Sequence, residues 1–138
     1  MTGRERVSSK GRPYRTLDVD GFEVLVGKSD ADNDRLTFEV AEPADLWMHV
    51  AGYSGSHVVV RNPEQLATLP MPVIKHAAQL AAWYSKARGA GRRVAVHICR
   101  AADVSKPPSF PAGKVLLADW WELRVYPRDP SAPAGNAQ

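Results

Sequence analysis

Four histidines, one cysteine and a pair of serines are the residues of this chain best suited to bond chemistry, and their spacing argues against most of it. His49, His57, His76 and His97 fall in separate segments, and no two stand at the short intervals by which a local turn or helix presents zinc ligands. Cys99 has no second cysteine to join, which excludes an internal disulfide and a multi-cysteine metal site. In a run that alternates like a strand, it reads as a small buried apolar group rather than a nucleophile. Ser54 and Ser56 lie just before His57, but Gly52-Tyr53-Ser54-Gly55-Ser56 lacks the second flanking glycine of a nucleophile elbow. Gly27-Lys28-Ser29 mimics the end of a phosphate loop, yet Phe22 occupies the position of its first glycine. Asp30, Asp32 and Asp34 open like a calcium loop, with Arg35 where the turn glycine belongs and Ala41 where the bidentate glutamate belongs. The expectation is no catalytic residue, no metal and no cofactor.

Cations and flat rings remain. The net charge is only +3 over 138 residues, but it is unevenly placed. Residues 1–17 carry +4, through Arg4, Arg6, Lys10, Arg12 and Arg15 against Glu5. Residues 18–45 carry −7, residues 46–60 have no Asp, Glu, Lys or Arg, and residues 61–100 carry +6. If folding gathers the two basic blocks on one face, the protein offers phosphate a surface that its total charge conceals. Trp47 and His49 share one strand face, His57 and Arg61 another, with Tyr53 in the turn between them. Cations fix a phosphate backbone and flat rings stack on unpaired bases, the combination used in RNA recognition. For Trp47, as for Trp83, Trp120 and Trp121, the alternative is a place in the core.

The elements that must position these groups follow from periodicity. With 44% hydrophobic residues, the chain suits one domain with a genuine core. Residues 12–128 read as the folded body, 1–11 as a disordered basic tail and 129–138 as a second disordered tail. No apolar run nears the roughly 18–20 residues needed to span a bilayer, and the start lacks the apolar core of a secretion signal; the expectation is a cytoplasmic protein without membrane contact. Phe22–Val26 alternates as a strand after a turn at Asp18–Gly21, and 27–32 reads as a turn. Asn33–Ala41 fits either a strand or a short helix capped by Asn33 or Asp34. Leu46–Val50 and Ser56–Arg61 form a hairpin. Pro72–Arg88 is the clearest helix, with Val73, Ala77, Leu80, Tyr84 and Ala87 on its apolar stripe and Gly89 as terminator. Strands follow at 93–100, 114–119 and 122–126. About six mostly antiparallel strands with one long helix packed across them make an α+β fold.

The order of motifs resembles a known family. It runs Arg12-Pro13-Tyr14-Arg15, Asp20-Gly21-Phe22, Val26-Gly27-Lys28, Asn33-Asp34, Asp45-Leu46-Trp47-Met48-His49-Val50 and Gly55-Ser56-His57-Val58-Val59-Val60-Arg61. Ala81-Ala82-Trp83-Tyr84-Ser85-Lys86-Ala87-Arg88 and Val104-Ser105-Lys106-Pro107 complete it. The series is similar to NFACT-R, the RNA-binding module of the NFACT proteins of ribosome-associated quality control, over residues 12–127. The resemblance implies a helical 33–41 segment and binding of tRNA or ribosomal RNA, with the large ribosomal subunit as a place of action. It implies no catalytic residue. The matched polar positions are Arg12, Lys28, His49, His57, Arg61, Lys86, Arg88 and Lys106. Arg15 of the basic block and Trp47 of the ring pair complete the candidate RNA-binding set. The other NFACT domains do not fit in this chain, so a free-standing module is expected, with a protein partner that supplies them. The alternative function is an adaptor docking on a translation or RNA-modification factor. Ser54 stands where the family often has proline, and the Trp120-Trp121 pair is unusual for it.

Overall fold

The computed structural model describes residues 10–132; residues 1–9 and 133–138, most of the two expected tails, lie outside the described residues. The first feature beyond the sequence expectations is a strand, β1 (Tyr14–Val19), that pairs antiparallel with β2 (Phe22–Gly27). Asp20 and Gly21 join them with φ of 50° and 88°. Two successive positive φ values give a turn whose twist matches a hairpin, and Asp-Gly is a favoured sequence for it. The turn was therefore legible, but the strand before it was not.

After β2 the chain enters α1 (Asp30–Arg35), which continues as a π-helical turn over Leu36–Val40. The helical form implied by the family resemblance is present, but it starts earlier than the 33–41 segment. Ser29 is the cap, its hydroxyl accepting from Asp32 N at 3.1 Å, and Asp30 and Asp32 in the first turn suit the positive end of the helix. Asn33, expected as a cap, is instead a buried interior residue.

Then come β3 (Leu46–Val50) and β4 (Val58–Val60), which pair as the expected hairpin with Leu46 opposite Val60 and Met48 opposite Val58. Helix α2 (Met71–Trp83) follows, with Pro72 in its first turn. It stops five residues short of the expected Arg88. Tyr84 leaves helical geometry at φ −86° and ψ 46°, and Ser85 forms a β-bridge with Gly55 instead. The rest is β5 (Val94–Arg100), a small ribbon of β6 (Val104–Ser105) with β7 (Leu116–Leu117), and β8 (Trp121–Val125). The expected strand at 114–119 is reduced to the two residues of β7.

The main sheet has the order β1-β2-β4-β3-β5-β8, with every neighbour antiparallel. This is the α+β architecture expected, with a more modest helix. Alternation sorts the strands into two faces. Leu17, Val24, Val26, Met48, Val50, Val58, Val60, Val96 and Ile98 form one core with Val73, Ala77, Leu80 and Ala81 of α2. Leu25, Trp47, Val59 and Cys99 form a second core with Leu36 of the π turn and Val104 of the ribbon. Burial pushes the Cys99 thiol up to about 12, which leaves it protonated and inert. No helix of the described residues is long and apolar enough to cross a membrane.

Gly55 is required where the 51–57 connection crosses the end of α2, because a Cβ there would lie 2.6 Å from Ser85 Cβ. Gly55→Ala is expected to lower stability by about 1–3 kcal/mol, seen as a lower urea midpoint. Gly89→Ala, with nothing within 4 Å of the added carbon, is expected to leave the midpoint unchanged or raise it.

Candidate nucleic-acid interface

A chain of polar contacts ties the 30–40 helical segment, the sheet and the 107–115 loop together. Trp47 Nε1 donates to Thr37 Oγ1 at 3.0 Å, and Thr37 Oγ1 lies 2.8 Å from His57 Nδ1. His57 Nε2 lies 3.0 Å from the Gly113 carbonyl. A carbonyl accepts only, so Nε2 carries the proton, and Nδ1 of a neutral imidazole must then accept from the Thr37 hydroxyl. One tautomer satisfies every group. Asn33, one helical turn before Thr37, accepts from His57 N at 3.0 Å through Oδ1. Gly27 lets it approach, since a Cβ there would lie 2.0 Å from that oxygen. The loop is held from outside as well: Lys106 Nζ donates to the carbonyls of Pro111 and Lys114 and lies 3.4 Å from Asp34 Oδ1, which also accepts from Gly113 N.

Above this floor lies an open cleft of about 500 Å³, lined by His49, His57, His97, Trp120, Asp30 and the 112–117 chain, with Ser54 and Gly55 at one side. His49 and His97 stand opposite each other across β3 and β5, and His97 stands opposite Glu122 of β8. Their ring neighbours are close, with His97 to Trp120 at 4.3 Å and His49 to His57 at 5.5 Å between centroids. Burial lowers the pKa of His49, so it is neutral near pH 7. His57 is pushed down to about 4, by burial first and then by repulsion from His49.

A second cleft, of about 350 Å³, adjoins the first and shares Asp30, Ser54 and Gly55 with it. Lys28, Lys86 and Arg88 line it together with Tyr84 and Ser85. The early end of α2 makes this possible: Ser56 N donates to Tyr84 O and Lys86 N to Ser54 O, at 2.9 and 2.8 Å. The 84–88 segment is thereby folded back along the 54–56 chain. Arg88 lies over the Trp83 ring at 4.2 Å and donates to the Trp83 carbonyl. Arg15 reaches the Tyr84 ring at 5.8 Å, and the Pro13 carbonyl accepts from Lys28 N at 3.3 Å, which brings Arg12 and Arg15 to the same end of the sheet.

Residues 12–119 match the profile of the NFACT protein RNA binding domain. The chain belongs to the NFACT-R family. It is 37% identical over 128 residues to the Rqc2 homolog RqcH of Streptococcus suis and 37% identical over 129 residues to that of Bacillus subtilis. These alignments cover 91% and 90% of this chain but only 22% of each relative, so the chain spans about a fifth of their length. Among solved structures it is similar to the C-terminal part of the fibronectin/fibrinogen-binding protein of Streptococcus suis, with a TM-score of 0.77 and 36% identity. That match covers 91% of this chain and 49% of the other.

Within this NFACT-R fold the ten candidate residues divide. Lys28, Lys86 and Arg88 meet in one cleft, Arg12 and Arg15 lie toward it, and His49 lines the adjoining cleft. Of the two readings of Trp47, ring platform or core, the structure has the core one: Trp47 and His57 are 2% and 1% exposed and form the floor, because the hydroxyl of Thr37 holds both. Lys106 is a strut of the 107–114 loop. Arg61 lies apart from the basic cleft. Its Nε lies 2.9 Å from the buried Asp45 carboxylate, beyond the far end of β4 and beside Asp20, Glu23 and Glu64. It stands four residues from His57, roughly 13 Å at about 3.3 Å per residue. The sequence reading missed Thr37, Tyr84 and the pairing of His97 with Trp120. The four-residue interval from Asn33 to Thr37, which places both on one helix face, was the signal for the first. Among the described residues no three His, Cys, Asp or Glu side chains are grouped to hold a metal ion.

His57 takes its proton near 6.5 in the unfolded chain and only near 4 in the fold, so between those values the unfolded state binds more protons. Stability is therefore expected to be full above about pH 6.5 and to fall as pH drops toward 4, by at most about 1.4 kcal/mol per pH unit for this group. The buried His76, also lowered to about 4, adds in the same direction. Thermal melts from pH 7.5 to 4.5 check this. His57→Gln should melt lower at pH 7 but with a flatter pH dependence, and an equal slope in both proteins would contradict the assignment.

Proposed function

We propose that this protein binds tRNA or ribosomal RNA through the cleft formed by Lys28, Lys86 and Arg88, in ribosome-associated quality control, with the large ribosomal subunit as its place of action. The observation that carries the reading is convergence: cations 58 residues apart in sequence, one after β2 and two after α2, line one cleft. They do so in a chain of an RNA-binding family. Phosphate groups would meet these side chains at the surface, with the exposed Ser54 hydroxyl beside them as a neutral donor. The two relatives named RqcH, called Rqc2 homologs, support the connection to quality control. Action in the cytoplasm belongs to the same proposal.

A second reading, docking on a protein factor, is favoured by Trp121 and Tyr126, which are exposed on or beside the last strand of the sheet. A pull-down that survives nuclease would favour it.

Titration of tRNA and ribosomal RNA fragments at several salt concentrations tests the first reading. Affinity should fall steeply with salt, and the double variant Lys86→Ala/Arg88→Ala should bind more weakly, with a log–log salt slope smaller by about 2, one for each lost phosphate contact. Arg61→Ala should leave the salt slope unchanged and lower the melting temperature, because the buried Asp45 carboxylate loses its cation. Equal, weak binding of every polyanion by wild type and double variant would contradict the reading.

A further inference from the structure

The two adjoining clefts differ in charge and lining in a way that assigns them different parts of one ligand. The basic cleft presents Lys28, Lys86 and Arg88. The larger cleft presents rings, and its charged rim residues are opposed: Lys114, which lies over the Phe110 ring at 4.8 Å, and Asp30. Asp30 faces both clefts, so it is outweighed by three cations in the basic one and only balanced by Lys114 in the other; with His49 neutral near pH 7 through burial, the ring-lined cleft offers little net attraction to a phosphate and much to an uncharged flat group.

We propose that the ring-lined cleft holds one unpaired nucleobase, stacked against the wall made by Trp120 and His97, while the adjacent backbone phosphates lie in the basic cleft. Four observations meet here. Trp120 is 47% exposed although its ring lies 4.3 Å from His97, so part of a large stacking surface faces solvent, a position unusual for tryptophan unless it serves contact. The volume, about 500 Å³, lies within the range of about 300–1,000 Å³ typical of small-molecule sites, enough for a base with its ribose. The floor carries polar edges: the His49 imidazole and, on the side, the Ser54 hydroxyl can pair with a base edge. Last, Asp30, Ser54 and Gly55 belong to both clefts, so one strand reaches both without crossing a barrier. A base in a duplex is stacked and paired and cannot enter, so the site selects single-stranded or bulged RNA.

This inference rests on the RNA reading above, and the test separates the two. The full chain is titrated with a five-nucleotide single-stranded RNA carrying 2-aminopurine at its centre, and with the same strand lacking all its bases. Both strands have the same phosphates. The intact strand is expected to bind roughly ten-fold more tightly, within the range that a stacked base contributes, and its 2-aminopurine fluorescence should be quenched. Trp120→Ala should abolish the quenching and reduce the preference to about two-fold or less while leaving the salt slope intact; Trp120→Phe should restore most of it. A melting curve confirms that the variants fold, as expected for an exposed side chain. Equal binding of the two strands by wild type, with a full salt slope, overturns the base site and leaves the RNA reading standing. No salt-dependent binding of either strand overturns both.

Discussion

The imidazole of His57 is the point on which the site depends. It joins three segments that are far apart in sequence: Thr37 on the π turn, Trp47 through that threonine, and Gly113 in the long loop. Each bond fixes the direction of the next, so the ring is held as one neutral tautomer, and its burial is compatible with the low dielectric only because both nitrogens are engaged. The loop it anchors forms one side of the ring-lined cleft. The strand that follows His57 begins the hairpin partner of β3, and the residues before it form the wall shared by the two clefts. A polar residue at the bottom of the cleft thus fixes the position of the groups around it.

Two close approaches of backbone reinforce that arrangement. Gly27 admits Asn33, which receives the His57 amide, and Gly55 admits Ser85, which ends the helix α2 early. The second approach shapes the basic cleft. A helix continuing to Arg88 would have carried Lys86 and Arg88 around its axis and away from the 54–56 chain. Released from helical geometry, both side chains instead line the cleft that Lys28 enters from the other side.

Much of this was legible in the residues. The alternation in Leu46–Val50 sorted Trp47 and His49 from Met48 and Val50 correctly, and the hairpin with β4 followed from the glycine-bearing turn. Strand β1 was hidden because Thr16 and Asp18 are polar yet buried, which breaks the contrast on which a period-two pattern relies. The extent of α2 was misjudged because its apolar stripe continues through Tyr84 and Ala87 in a non-helical turn; Ala87 is fully buried all the same. The candidate cations were identified by type, but type does not reveal a partner. Arg61 and Lys106 are held by Asp45 and Asp34, both from the acidic block, and only the fold shows that pairing. Exposure of Trp120 and burial of Trp47 are likewise tertiary facts, since one tryptophan adjoins a strand and the other lies within one.

Chemical-shift mapping of the isotope-labelled protein with tRNA or a ribosomal RNA fragment is the most direct measurement of where RNA lies on this surface. The largest backbone shifts should fall at Lys28, at Ser54–Ser56 and at Ser85–Arg88, with the ring protons of His49 and Trp120 following. Shifts confined to the Asp20–Glu23 and Arg61–Glu64 end of the sheet, or spread evenly over all exposed cations, would contradict the convergence of charge on which the functional reading stands.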